Sequence, residues 1–294
     1  MRTETITTKE LVGVYQAGSQ HMVGDGFPVR NMIPGAGVEE QLSPFLMLDY
    51  MGPEEFPPTS RRLGVGEHPH RGFETVTIMY HGTVAHRDST GSGGVIGPGD
   101  VQWMTAASGL VHEELHEKEF AKTGGLLEGV QLWVNLPKAF KMTPPRYQTL
   151  HSSDIPTVEL GGGAGRLRVI AGEFRGVTGP AKTFSPVHLY DLRLAAGHRV
   201  ELDLPEGFNS SLFVLHGQVV VNGSQAVEEV EIGLFGQQGE RVVLEAKQEA
   251  TMLVLSGEPI AEPIARYGPF VMNTREEIIQ AVQDYQAGKM GHLS

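Results

Sequence analysis

Short runs of aliphatic, aromatic and β-branched residues recur along the chain, and turn-forming residues separate them. Glu74-Thr75-Val76-Thr77-Ile78-Met79-Tyr80, Gly129-Val130-Gln131-Leu132-Trp133-Val134-Asn135 and Leu167-Arg168-Val169-Ile170-Ala171 are typical, with His81-Gly82, Gly97-Pro98-Gly99-Asp100 and Gly161-Gly162-Gly163 between them. The 38 glycines and 18 prolines are spread along the chain and not gathered in one tail. This is the pattern of many short strands joined by tight turns, and it predicts an all-β protein built as sandwiches or jelly-roll barrels. A second block after Gly179-Pro180 repeats it: Val187–Leu194, then Ser211-Leu212-Phe213-Val214-Leu215-His216-Gly217, Val242-Val243-Leu244 and Thr251–Leu255. Since Met79-Tyr80-His81-Gly82 plays the part of Val214-Leu215-His216-Gly217, two copies of one barrel are expected. The expected division is 1–150 for the first barrel, 151–179 for a linker and connecting strand, and 180–294 for the second barrel with a C-terminal helix. Thr274 and Glu277 have capping-box spacing for that helix, Ile278, Ile279, Val282 and Tyr285 give its apolar face, and Gly288 stops it. It is expected to close over one barrel, most simply the first.

Composition narrows the chemistry. The chain of 294 residues has no cysteine, so a bound metal must be held by nitrogen and oxygen. Such donors suit iron(II), manganese, nickel, copper or zinc and exclude an iron–sulfur cluster. A formal net charge of -12 argues against a nucleic-acid backbone as direct partner. Met1-Arg2-Thr3-Glu4-Thr5-Ile6-Thr7-Thr8 lacks the apolar core of a secretory signal, and no run approaches the ~20 apolar residues of a membrane span. A soluble, cytoplasmic protein is expected.

The chemistry-bearing stretch is His68-Pro69-His70-Arg71-Gly72-Phe73-Glu74, answered by Gly109-Leu110-Val111-His112-Glu113-Glu114. Strand side chains alternate with period two, so His68 and His70 share a face, as do His112 and Glu114. If the two strands meet inside a barrel, three imidazoles and a carboxylate converge on a site for a divalent transition metal. Glu74 shares the parity of His70 and competes for the fourth place; Glu114 is preferred because it points wherever His112 points, leaving Glu74 a supporting bond. His21, His151, His188, His198 and His292 read as ordinary strand or surface histidines, and so do His81, His86 and His116. At ~3.3 Å rise per residue, His116 lies ~13 Å beyond His112, too far to share an ion. Trp103, Met104 and the run Phe45-Leu46-Met47-Leu48 read as core. The second block has neither His-x-His nor His-x-Glu, so one barrel is expected to be loaded and the other empty.

Five segments, Ser43–Asp49, His68–Thr77, Pro98–Ala106, Gln131–Pro137 and Lys141–Tyr147, continuing into Arg168–Phe174, together resemble the pirin family, bicupins of the cupin superfamily. The resemblance implies two cupin barrels, with a mononuclear metal, usually iron, in the first only. The family's ligands fall on His68, His70, His112 and Glu114. In the usual cupin signature the first-motif glutamate is a ligand, and Glu74 stands nearly there, but Gly82 lies one residue beyond the signature's glycine. Several family members are quercetin 2,3-dioxygenases, whereas others are iron-dependent cofactors of transcriptional or metabolic proteins. The expectation is therefore one divalent metal per chain, Fe(II) first and other divalent ions tolerated, with a flavonol and O₂ as substrates. Glu114 would be the base taking the 3-hydroxyl proton before the heterocycle opens and carbon monoxide leaves. The alternative is a metal-sensing module that binds an unidentified protein partner; a metal-free scaffold is the third reading.

Overall fold

The structure, a computed structural model, describes residues 7–33 and 38–293. Most of the polar N-terminal stretch read above lies outside the described residues. The chain forms two compact units. One comprises residues 19–31, 45–152 and 260–294; the other comprises the described parts of 1–18 and 32–44 together with 153–259.

Among the described residues, each unit has a seven-stranded and a four-stranded antiparallel sheet. In the histidine-bearing unit the larger sheet runs Arg146–Leu150, Val101–Thr105, Phe73–His81, Gly125–Asn135, Phe45–Phe56, Phe27–Asn31, His21–Val23; the smaller runs Gly64–His70, Leu110–His116, Val84–Asp88, Gly93–Ile96. The second unit repeats this with Leu11–Gln16, Glu231–Phe235, Asn209–His216, Ala250–Gly257, Val187–Leu194, Gly165–Ala171, Thr157–Leu160 and, in the smaller sheet, Arg199–Asp203, Arg241–Ala246, Val219–Val221, Gln225–Val227. The fold is all-β with one strand pattern used twice, as the alternating runs predict, and the two repeats are the cupin barrels that the family resemblance implies.

Three segments depart from the expected division. Leu11–Gln16 pairs with Glu231–Phe235, so an N-terminal strand completes the second unit, where Leu11 and Val14 pack on its core. Thr157–Leu160 and Gly165–Ala171, expected as a connection, pair with each other and with Val187–Leu194 as strands of that same sheet. The tail from residue 260 belongs to the histidine-bearing unit. Alternation shows that a strand has one buried face but is silent on which sheet supplies its partner.

The helix spans Arg275–Gln286 with Thr274 as N-cap and the Thr274–Glu277 capping box formed, and Gly288 follows with φ 72°. Its buried face differs from the expected one. Ile278, Ala281 and Asp284 are buried, whereas Ile279 and Tyr285 are exposed. Asp284 turns inward because a cation awaits it there. A shorter helix, Lys118–Thr123, was not expected; the Glu117 side chain caps it by accepting from the backbone N–H groups of Glu119 and Phe120.

The equivalent smaller sheets explain why the two units differ in chemistry. The strands equivalent to Gly64–His70 and Leu110–His116 are Arg199–Asp203 and Arg241–Ala246. These bury Val200, Leu202, Val242 and Leu244 in an apolar core where the first unit buries imidazoles.

Candidate metal centre

His68 and His70 lie on the strand Gly64–His70, and His112 and Glu114 on Leu110–His116, which pairs with it antiparallel. His112 stands directly opposite His68, and Leu110 opposite His70. The pairing shifts by one residue between His112 and Glu114, so Glu114 faces Val65. This bulge lets Glu114 turn into a small cavity of about 30 Å³ that Val65, Thr77 and Gln131 also line.

The ligand atoms of His68, His70 and His112 lie within 4.8 Å of one another, and their ring centroids are 4.2–4.8 Å apart. Two of the rings are oriented by backbone carbonyls: His68 Nδ1 is 2.8 Å from the Gly66 oxygen and His70 Nδ1 is 3.4 Å from the Pro269 oxygen. A carbonyl only accepts, so each Nδ1 donates and Nε2 is the nitrogen left to serve as ligand. His112 Nε2 is fully buried and has no hydrogen-bond partner. Burial, reinforced by the neighbouring imidazoles, holds His70 and His112 well below the usual imidazole pKa, so both are neutral at pH 7. Three rings whose ligand atoms gather at one point, one of them with an orphan nitrogen in the interior, fit a divalent cation, since an unsatisfied buried polar atom is otherwise costly.

Glu114 belongs to an overlapping group with His86 and His112, whose ligand atoms also lie within 4.8 Å of one another. Its carboxylate is held by amides: Gln102 Nε2 donates to Oε1 at 3.0 Å and Gln131 Nε2 to Oε2 at 2.9 Å, while the Thr77 hydroxyl lies 3.5 Å from Oε1. The Tyr147 hydroxyl donates to Gln102 Oε1 at 3.0 Å, which keeps that amide's NH₂ end towards Glu114.

Glu74 is elsewhere. It accepts from the Thr105 hydroxyl at 2.6 Å, and burial pushes its carboxyl up to about 7 against that hydrogen bond. An acid whose folded-state pKa is raised favours folding most below its unfolded pKa and costs stability as pH climbs to about 7. Glu74→Gln, which keeps the acceptor, is expected to flatten that slope and to be more stable than the parent at pH 8 by roughly 2–3 kcal/mol. Urea unfolding at pH 5 and pH 8 measures it; equal pH slopes in both proteins would refute the assignment.

His86 is the residue the sequence reading missed. It stands opposite Glu114 on the strand Val84–Asp88, with its Nδ1 3.2 Å from His112 Nδ1 and its ring stacked on Tyr147. His86-x-Asp88 carries the same parity signal as His68-x-His70, but only the register between strands reveals that it faces the cluster. His116 lies apart, its Nε2 2.8 Å from the Gly26 oxygen among Phe27, Phe56 and Phe120.

The C-terminal tail buttresses the His-x-His strand. Arg71, next to His70, donates from Nη1 to Asp284 at 2.8 Å and from Nε to the Ser108 carbonyl at 2.7 Å, tying the helix to the end of the strand Gly64–His70 and to the turn that precedes Leu110–His116. Gly72, at φ 89°, is required there: a Cβ would stand 1.9 Å from the Val271 carbonyl. Lysine 289, Arg71 and Gln280 together hold the Asp284 carboxyl well below the usual carboxylate range. Arg71→Met is expected to cost about 3 kcal/mol, the low end for breaking a buried pair because Lys289 and Gln280 still face Asp284. A carboxylate with a depressed folded-state pKa stabilises above its unfolded value of about 3.9 and loses that contribution as pH falls, so the deficit should shrink below pH ~4. Both tryptophans, Trp103 and Trp133, are in this unit, so their fluorescence reports its unfolding; a deficit that persisted at low pH would count against the pair.

The pirin family model matches residues 26–134 and that of the pirin C-terminal cupin domain matches residues 189–291. The chain is 37% identical over 274 residues to the Rattus norvegicus protein named pirin, covering 91% of this chain and 89% of that one. This chain belongs to the pirin family. It is also 55% identical over 281 residues to a Pseudomonas aeruginosa protein named "Putative quercetin 2,3-dioxygenase", covering 96% of this chain and 98% of that one. A crystal structure of quercetin 2,3-dioxygenase from Acinetobacter baumannii superposes with a TM-score of 0.95 at 49% identity, covering 98% of this pirin-family chain and all of the other. Among the described residues no helix is long and apolar enough to cross a membrane.

Proposed function

We propose that this pirin-family chain is a mononuclear-metal dioxygenase of flavonols, with one divalent ion, Fe(II) first, held by His68, His70, His112 and Glu114 in the first cupin barrel. The reading rests on the three imidazoles whose ligand atoms converge within 4.8 Å of one another, with the buried Nε2 of His112 lacking any partner. The names of the P. aeruginosa relative and the A. baumannii structure support the substrate class. If bound, such an ion would supply Lewis acidity that acidifies and orients a substrate hydroxyl.

The chain's own contribution is orientation and proton handling. His68 and His70 are pre-set by carbonyl acceptors, which spares rotamer entropy on loading. Glu114 is the base for the flavonol 3-hydroxyl: it carries a carboxylate two residues from His112, and Gln102 and Gln131 fix its plane. The substrate is oxidised by O₂, its heterocycle opens, and one ring carbon departs as carbon monoxide. Metal analysis of protein purified without a histidine tag, followed by oxygen uptake and CO release with a flavonol panel, tests the proposal. Metal-loaded protein that consumes no oxygen with any flavonol would overturn the enzymatic reading and favour a metal-dependent binding module.

A further inference from the structure

Two of the three clustered imidazoles have a carbonyl to set their tautomer. His112 has none, and its Nδ1 instead meets the Nδ1 of His86 at 3.2 Å, while His86 Nε2 meets Asp88 Oδ2 at 3.4 Å. All of these groups except the backbone of Asp88 are shielded: the side chains of His86 and Asp88 are at most 1% exposed, and His112 is fully buried. The chain of contacts ends at an anchored anion. Asp88 Oδ1 accepts from the Thr90 N–H at 2.8 Å, the Thr90 hydroxyl at 2.6 Å and the Ser92 N–H at 3.2 Å, so its other oxygen is left for His86.

We infer that Asp88 and His86 act as a two-step tautomer lock that holds His112 with its proton on Nδ1 and a bare Nε2 aimed at the metal; this rests on the metal-centre reading above. The logic is directional. A carboxylate only accepts, so His86 carries its proton on Nε2. With a single proton on His86, its Nδ1 is an acceptor, and His112 Nδ1 donates to it. That leaves His112 Nε2 as a lone pair, the state a metal ligand requires. Carboxylate–histidine–metal arrangements ordinarily use one such step; here a second imidazole extends the reach of the carboxylate by one ring. Tyr147, stacked on His86 at 4.9 Å between centroids and 11° between planes, keeps the intermediate ring from rotating. In this arrangement His86 spends Nδ1 on His112 and Nε2 on Asp88, so His86 and Asp88 are positioning residues.

Asp88→Asn is the discriminating variant, because three donors pin Oδ1 and force the amide NH₂ into the place of Oδ2. That nitrogen donates to His86 Nε2, His86 must carry its proton on Nδ1, and His112 must accept there and carry its proton on Nε2. The tautomers of both rings therefore invert. Long-range ¹H–¹⁵N spectra of ¹⁵N-histidine-labelled, metal-stripped full-length protein read this directly, with His112 assigned by the signals lost in His112→Gln. The expected parent has His112 protonated on Nδ1 and His86 on Nε2; Asp88→Asn reverses both, and its affinity for Zn²⁺, measured by competition with a chelator, falls roughly 10- to 100-fold. His86→Phe, which keeps the stacking ring but removes the acceptor, should lose affinity similarly, while His86→Gln, able to donate and accept at once, should retain most of it. This pair carries the test if Asp88→Asn does not fold. A parent His112 protonated on Nε2, or unchanged tautomers and affinity in Asp88→Asn, would overturn the lock, as would equal Zn²⁺ affinity in the Phe and Gln variants. A parent with the expected tautomers that binds no metal would overturn the metal-centre reading instead.

Discussion

His112→Ala protein, purified without a tag and analysed for transition metals, is expected to contain less than about a tenth of an equivalent per chain, against about one in the parent. His112 is the hub of the site. It faces His68 across the strand pair, touches His70 and leans on His86, and its Nε2 is the buried atom with nothing to satisfy it. Removing its ring deletes a ligand and opens a hole beside the other two. His68→Ala should give the same metal loss with a smaller stability penalty, because His68 is only half-buried. The second unit provides the internal control: its equivalent inward positions are Val200, Leu202, Val242 and Leu244, which offer no donor atom. Loss of the first site should therefore leave the full chain metal-free. Full occupancy in both variants would refute the assignment of the site.

The second large effect concerns turnover and not binding. Glu114→Gln is expected to keep part of the metal, because three imidazoles and an amide oxygen remain, but flavonol consumption per bound metal should fall by roughly 10² to 10⁴, the usual cost of losing a positioned general base. The substitution also sets an amide NH₂ against the donating amides of Gln102 or Gln131, which must flip to avoid a donor–donor clash. Rates must be expressed per metal, since a weaker site would otherwise mimic a catalytic defect. Glu74→Gln is the comparison, with near-parental turnover expected because Glu74 bonds Thr105 and joins neither candidate metal group. Unchanged turnover per metal in Glu114→Gln would exclude Glu114 as the base.

The residues differ in how plainly their neighbours in the chain announce them. His68 and His70, or His112 and Glu114, are two positions apart, and the period of an extended strand places each pair on one face before any partner strand is known. The Thr274–Glu277 capping box is likewise a contact over three residues, and it forms as its spacing predicts. The role of His86 comes from cross-strand register: it is 26 residues from His112 and becomes meaningful only when Val84–Asp88 is laid beside Leu110–His116. Gln102 and Gln131 reach Glu114 from other strands, and Tyr147 acts on it through Gln102, so local spacing announces none of the three.

What the sequence by itself determined was therefore local and periodic: the all-β class, the repetition of one strand-and-turn pattern, the parity of the two histidine-bearing motifs and the start of the last helix. Tertiary structure decided which strands became neighbours. It gave Leu11–Gln16 to the second unit's sheet, placed a one-residue bulge between His112 and Glu114, and brought Asp284 to Arg71 across 213 residues of chain. The physical reason is that alternation encodes only whether a side chain faces inward. Register, partner choice and the pairing of a buried charge depend on the free energy of the assembled core, to which residues far apart in the chain contribute together.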